Sequence, residues 1–186
     1  MQATTKEKII LGIDPGTTIM GYGLIIAKNQ KIELITYGVL YLEKYDDHFL
    51  KLKKIFEKVT MLIEEYHPDE LSIEAPFFGK NVQSMLKLGR AQGVAIAAAM
   101  NKTLPAFEYA PRKIKQAITG NGNASKEQVA YMLKNLFNIQ ELHKDLDATD
   151  GLAAAVCHSY QNKLSTDSKK ISGWKAFLQD NPNRKA

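Results

Sequence analysis

The sequence predicts an α/β domain built on a mixed five-stranded sheet with helices on both faces. Strand-like segments at 9–14, 20–27 and 31–41 follow one another closely, which is typical of antiparallel strands. Two later strand-like segments, at 70–75 and 104–109, alternate with helical patterns, which is typical of β/α units. The chain has 186 residues, enough for one domain of this kind with its own core.

The first half of the chain fits three strands followed by a helix. The short connection at 28–30 predicts that the second and third strands form a hairpin. Either Asp46 or Asp47 can cap the next helix, which the spacing of apolar residues extends to about Tyr66. Pro68 ends this helix, because the residue before a proline is disfavoured in helical conformation.

A second long helix is predicted over about 82–100. Its second half is apolar on all sides, so we expect burial on more than one side. Gly89, Gly93 and Ala97 lie four residues apart and form a stripe of small residues that permits close contact with another element. That element is either the sheet of the same chain or a second subunit, and the pattern favours neither.

Two shorter helices follow the fifth strand. Pro111 opens the first, since proline is well suited to the first helical position. A glycine- and asparagine-rich turn at 120–123 separates it from the second. Ser125 and Gln128 predict a capping box for that second helix, over 126–137.

The C-terminal part divides into a last helix, over about 147–163, and a polar, charged segment from Leu164 onward. We therefore predict one folded domain over 1–164 and a flexible tail over 165–186.

Composition narrows the class of protein. The net charge of +5 favours nucleic acid as a partner without proving it. The single cysteine, Cys157, excludes an internal disulfide and a cysteine-based zinc site. The N-terminus has no apolar signal-peptide core and no segment is apolar enough to span a membrane, so we expect a cytoplasmic location and no membrane partner.

Four acidic residues stand where packing alone does not require a carboxylate. Asp14 and Glu74 end strand-like runs, while Asp147 and Asp150 lie three apart at the start of an apolar helix. Each has a plainer interpretation: Asp14 as a turn residue before a proline, and the helix-start pair as acids beside the positive dipole end. Asp145 competes with Asp147, but only Asp147 shares a helix face with Asp150.

Clustered carboxylates repel one another unless cations neutralise them. Four such side chains suit Mg²⁺ or Mn²⁺, and two ions about 4 Å apart can flank a phosphodiester. Phosphoryl transfer depends mainly on positioning and charge neutralisation, so no histidine is needed. The pattern predicts a nuclease in which all four acids are catalytic and bind metal.

Two other classes of function compete with this hypothesis. The turn after Asp14 is similar to the first phosphate loop of actin-like and sugar-kinase-like ATPases, but the chain is too short for their two lobes. A module that binds branched DNA without cutting it would leave the repulsion between the acids unrelieved.

Four motifs resemble the RuvC family of bacterial Holliday-junction resolvases. They are Gly-Ile-Asp-Pro-Gly-Thr-Thr-Ile-Met-Gly-Tyr-Gly at 12–23, Ile-Glu-Ala-Pro-Phe-Phe-Gly-Lys-Asn at 73–81, Leu-Lys-Leu-Gly-Arg-Ala-Gln-Gly-Val-Ala at 86–95 and Asp-Ala-Thr-Asp-Gly-Leu-Ala at 147–153. The resemblance implies an RNase H-like fold and Mg²⁺-dependent cutting of four-way DNA junctions. It also implies a homodimer through the helix at about 84–100 and a branch-migration helicase partner.

The resemblance also implies roles for single residues. The family's catalytic acids fall on Asp14, Glu74, Asp147 and Asp150, its DNA-stacking aromatic on Phe77, and its catalytic and DNA-contacting lysines on Lys115 and Lys126. Charge alone adds further candidates for phosphate contact, although a solvated surface is the commoner role of such residues: Lys80, Lys87, Arg90 and Arg112. An RNA–DNA hybrid stays open as an alternative substrate.

Overall fold

The computed structural model describes residues 7–28, 31–76 and 81–167, which form a five-stranded mixed sheet with helices on both faces. The sheet order is β3-β2-β1-β4-β5. The elements, in chain order, are β1 (Glu7–Asp14), β2 (Ile19–Lys28), β3 (Lys31–Tyr41), α1 (His48–Tyr66), β4 (Glu70–Glu74), α2 (Val82–Asn101), β5 (Ala106–Tyr109), α3 (Pro111–Thr119), α4 (Lys126–Phe137) and α5 (Asp147–Asp167). The predicted fold class is confirmed.

Strand register places the ends of β1 and β4 side by side. β1 runs antiparallel to β2, with Asp14 opposite Gly21. It runs parallel to β4, with Ile13 opposite Ile73. Asp14 and Glu74, each one residue further along, therefore lie at the same edge of the sheet.

Two hydrophobic cores hold the helices to the sheet. Leu11, Ile13 and Ile73 face one side, where they pack with α1 and α2. Ile10 and Ile25 face the other, where they pack with α3, α4 and α5. Cys157 is fully buried in this second core, and burial raises the pKa of its thiol to about 11, which is typical of an unreactive structural cysteine.

Helix α5 lies directly on the strand backbones because glycines leave room for it. A Cβ on Gly21 would lie 1.9 Å from the carbonyl oxygen of Asp147. A Cβ on Gly151 would lie 2.5 Å from the backbone nitrogen of Tyr22. Any larger residue at either position would push the first turn of α5 away from the sheet.

The predicted caps are confirmed. Asp47, rather than Asp46, accepts hydrogen bonds from the backbone of the first turn of α1. Ser125 and Gln128 form both hydrogen bonds of the capping box at the start of α4.

Helix α2 departs from one expectation. We predicted burial on more than one side, but Gly93, Ala97 and Met100 are exposed. Among the described residues, no atom outside the backbone of α2 itself lies within 4 Å of a Cβ placed on Gly89 or Gly93. The stripe of small residues therefore does not pack on the sheet of its own chain.

Some predictions fall outside the described residues. They concern the hairpin turn at 29–30, Phe77 and Lys80, and most of the predicted tail, from 168 to 186. Within the part that is described, the chain contains no helix long and apolar enough to cross a membrane.

Candidate metal centre

Three of the four predicted acids converge at one edge of the sheet. Asp14 ends β1, while Asp147 and Asp150 lie in the first turn of α5. One carboxylate oxygen from each lies within 4.8 Å of the other two. Glu74 ends the neighbouring strand β4 outside this tight group, yet its charge acts strongly on Asp14.

Burial and mutual repulsion disfavour ionisation of these acids. Burial raises the pKa of Asp14 well above its ordinary value, and the charges of Glu74, Asp150 and Asp147 raise it further. Burial and the charge of Asp150 raise the pKa of Glu74 to about 7. Burial also raises the pKa of Asp150, against the opposing hydrogen bond from Lys126.

Lys126, the first residue of α4, reaches into the acidic group. Its Nζ donates to Asp147 Oδ1 at 3.0 Å and to Asp150 Oδ2 at 2.6 Å. Partial burial lowers the pKa of Lys126, but the two carboxylates outweigh burial and raise it overall. This lysine was predicted as a DNA contact, and the structure places it among the acids.

Gln92 holds the end of β4 from the opposite face of the sheet. Its buried amide donates to the backbone oxygen of Glu74 at 3.3 Å and to Glu108 Oε2 at 2.7 Å. The backbone nitrogen of Ala75 donates to the carbonyl oxygen of Tyr109 at 2.9 Å, which joins β4 to β5 just beyond Glu74. The position of Glu74 is therefore fixed from two sides.

Tyr41 and Asp145 hold the segment that leads into α5. Tyr41 Oη donates to Asp145 Oδ2 at 2.5 Å. The backbone nitrogen of Asp145 donates to His143 Nδ1 at 3.0 Å, which folds the segment on itself. Asp145 thus anchors the approach to Asp147 and lies outside the acidic group, as helix register predicted.

Sequence reasoning missed Gln92, Tyr41 and Asp145 as positioning residues. Gln92 carried one signal, since a polar side chain among alanines on a buried helix needs a partner. Tyr41 carried none, because its partner lies 104 positions away and depends on the packing of α5 on the sheet.

The predicted DNA-contact residues are spread over three helices. Lys87 and Arg90 are exposed on α2, and Arg112 is exposed on α3 with its side chain against Gly122. Lys115 is half-buried on α3, and its charge lowers the pKa of Glu74 and Asp150. Lys115 and Lys126 are therefore close to the acids. The DNA roles of all these residues stay predictions.

The donor set suits a hard divalent cation. Carboxylate oxygens are the ligands that Mg²⁺ and Mn²⁺ prefer, and Asp14, Asp147 and Asp150 converge from two separate parts of the chain. Burial and mutual repulsion raise the pKa values of Asp14 and Glu74 despite the charge of Lys126, so a bound cation would favour their ionised forms.

The fold and the acidic group together define a class of enzyme: a metal-dependent nuclease on an RNase H-like sheet. The family model described as crossover junction endodeoxyribonuclease RuvC matches residues 10–158. The chain belongs to this family.

Relatives agree with the family over almost the whole chain. The crossover junction endodeoxyribonuclease RuvC of Cytophaga hutchinsonii is 62% identical, over 97% of this chain and 89% of that protein. The protein of the same name from Christiangramia forsetii is 63% identical, over 96% of this chain and 93% of that protein. Among solved structures, T. thermophilus RuvC in complex with Holliday junction substrate matches with a TM-score of 0.79 at 28% identity, covering 86% of this chain and 97% of that one.

Proposed function

We propose that this nuclease resolves four-way DNA junctions by hydrolysing one phosphodiester in each of two equivalent strands. The observation that carries the proposal is the convergence of Asp14, Asp147 and Asp150 beside Glu74 in a chain of this family. The family's name and the junction bound to the T. thermophilus structure support the choice of substrate. They favour junction DNA over ATP or an RNA–DNA hybrid as the substrate.

We assign Mg²⁺ as the metal, held by Asp14, Glu74, Asp147 and Asp150. Two such ions, for which Mn²⁺ can substitute, would activate the attacking water and stabilise the leaving 3′-oxygen. The protein supplies rigid placement: β1 and β4 fix Asp14 and Glu74, and α5 fixes the other two acids. A ligand set held from three elements needs little reorganisation during the reaction.

Basic side chains would hold the DNA backbone over the acids. Lys115 and Lys126 stand nearest, and Lys87, Arg90 and Arg112 are accessible on neighbouring helices. Phosphate contacts of this kind orient a strand without reading its sequence. Phe77 and Lys80 belong to the same proposal, with Phe77 stacking on an unpaired base.

A homodimer through α2 completes the proposal. A junction has two equivalent strands to cut, and a two-fold dimer presents two identical sites to them. The stripe at Gly89, Gly93 and Ala97 supports α2 as the interface, because Gly93 and Ala97 are exposed and no described atom outside α2 lies within 4 Å of a Cβ placed on either glycine. A branch-migration helicase as partner, which the family resemblance implies, and a cytoplasmic location belong to the same proposal.

The test of the function is cleavage of a synthetic four-way junction by the full-length chain with Mg²⁺. Asp14→Asn should abolish cleavage, by at least about a hundredfold, while junction binding in Ca²⁺ stays within about twofold of wild type. Asp46→Asn, an exposed acid away from the group, is the matched control and should cut normally. Cleavage by Asp14→Asn at the wild-type rate would contradict the assignment. Cleavage of a hybrid in preference to the junction would contradict the substrate.

A further inference from the structure

Lys126 makes contacts that a phosphate-binding lysine does not need. The capping box of Ser125 fixes the backbone at the start of α4, so the side chain of Lys126 extends from a defined point. Its ammonium group bridges Asp147 Oδ1 and Asp150 Oδ2, which are atoms of two proposed metal ligands. The lysine and a divalent cation therefore have the same two carboxylates as partners.

Lys126 also influences the other acids. Its charge lowers the pKa of Asp14 and of Glu74, against the burial and repulsion that raise them. Lys126 thus interacts with all four acids and reduces the repulsion that their convergence creates.

We propose that Lys126 is an internal counter-cation of the acidic group, which a divalent cation displaces when it binds. The inference rests on the proposed metal site. A divalent cation held by Asp147 and Asp150 would bring two positive charges to the carboxylates that bind the ammonium group, and would weaken their attraction for it. Repulsion between the cation and the ammonium group acts in the same direction.

Displacement gives the lysine two successive roles. Before metal binds, it stabilises the first turn of α5 and the fold around the acids. After metal binds, its ammonium group is released beside the site, where a DNA phosphate would be the nearest new anion. The lysine would then lower intrinsic metal affinity while making metal binding and phosphate binding mutually favourable.

The test is the affinity of the DNA-free, full-length protein for Mn²⁺, measured by titration calorimetry. Lys126→Met keeps the length of the side chain and removes its charge. We expect Lys126→Met to bind Mn²⁺ about tenfold more tightly than wild type, since it loses a competing charge. Lys126→Arg should bind near wild type, and Lys134→Met, on the same helix, is the neutral control.

The melting temperature provides an independent test of the competition between Lys126 and the divalent cation. In EDTA, Lys126→Met should melt below wild type, because its acids lack their counter-cation. Saturating Mn²⁺ should raise its melting temperature by more than it raises that of wild type. If Lys126→Met fails to fold in EDTA, Lys126→Gln and refolding in Mn²⁺ replace it, and rescue by Mn²⁺ supports the proposal.

Two results overturn the proposal, and they are distinguishable. Equal or weaker Mn²⁺ affinity of Lys126→Met, with normal binding to wild type, rejects the counter-cation role and leaves the metal site standing. Failure of wild type and of Lys126→Met alike to bind Mn²⁺ at millimolar concentration rejects the metal site, and the proposed function with it.

Discussion

Single side chains outside the acidic group determine where its members stand. Tyr41 is an example, because its hydroxyl holds Asp145 two residues before Asp147. The Asp145 carboxylate lies outside the acidic group, so it affects the site by holding the backbone that leads to Asp147. A change at Tyr41 should therefore affect Asp147 through its position.

We predict that Tyr41→Phe slows junction cleavage about threefold to tenfold at low Mg²⁺. Loss of the hydrogen bond lets the segment before α5 relax, so the half-saturating Mg²⁺ concentration should rise while the rate at saturating Mg²⁺ changes little. Cleavage rates across a Mg²⁺ series measure this.

The exposed Tyr131, on α4, provides the matched control for Tyr41. Tyr131→Phe should leave the Mg²⁺ dependence unchanged. A uniform loss of rate in Tyr41→Phe at every Mg²⁺ concentration would indicate damage to the fold and would contradict a positioning role.

At the scale of elements, local patterns predicted most of the fold. The helical spacing after Asp47, the capping box at Ser125 and the apolar runs at 9–14 and 70–75 each specify an element from neighbouring residues. The shared edge of the sheet then followed from parallel strands, and it brought Asp14 and Glu74 together as predicted.

Local sequence patterns did not predict the contacts between distant elements. Lys126 meets Asp150 only because α4 packs beside the start of α5, whereas the family resemblance implied catalytic and DNA-contact roles for it without indicating this contact. His158 meets Glu70 across 88 positions. Both pairs depend on the rotation of a helix against its neighbour, which local spacing does not determine.

His158 forms a buried polar chain far from the acids, at the start of β4. In the neutral ring, Nε2 donates to Glu70 Oε2 at 2.9 Å, and Nδ1 accepts a hydrogen bond from the Tyr109 hydroxyl at 2.6 Å. Lys8 pairs with the same carboxylate. Burial lowers the pKa of His158 from its ordinary 6.5 and outweighs the charge of Glu70, so the neutral ring is the stable form.

These buried hydrogen bonds of His158 predict the sign of a pH dependence of stability. A lowered pKa means that folded His158 binds fewer protons than unfolded His158, so its contribution is present above pH 6.5 and is lost as pH falls below that value. Burial raises the pKa of the Glu70 carboxyl, but the pairing with Lys8 and His158 outweighs burial and lowers this pKa overall. Its contribution is lost below about pH 4.5, in the same direction.

We predict that His158→Gln lowers the free energy of unfolding by about 2 kcal/mol at pH 8, and by clearly less at pH 5. The difference from wild type is the quantity to measure, because Asp14 and Glu74 have raised pKa values and their contributions change in the opposite direction. Urea denaturation at both pH values gives it.

Ser159, the buried neighbour of His158, is a control that does not titrate. Ser159→Ala should lower stability equally at both pH values. A His158→Gln difference that is constant with pH would contradict the neutral buried ring.

At the scale of the whole molecule, the outward face of α2 is the main apolar surface that the described residues leave uncovered. Val82, Leu86 and Met100 are 63%, 51% and 68% exposed and extend the stripe of small residues along the helix. An apolar helix face of this length in water is typical of an interface. Gln92, the residue beside Gly93, donates a hydrogen bond to the backbone oxygen of Glu74 at the end of β4. The outward face of α2 therefore lies next to a residue that positions Glu74.

We predict that Gly93→Glu converts the proposed dimer to a monomer, measured by light scattering. The folded chain has room for this side chain, and replacing glycine within a helix favours the helix by about 0.5 to 1 kcal/mol, so the melting temperature should not fall. A two-fold interface is formed by the same patch of both subunits, so the substitution would place a charged glutamate against the partner's α2 on each side and prevent close packing. Tyr131→Glu, with the same charge on exposed α4, should stay dimeric. A Gly93→Glu dimer, or a wild-type monomer at micromolar concentration, would rule out α2 as the interface.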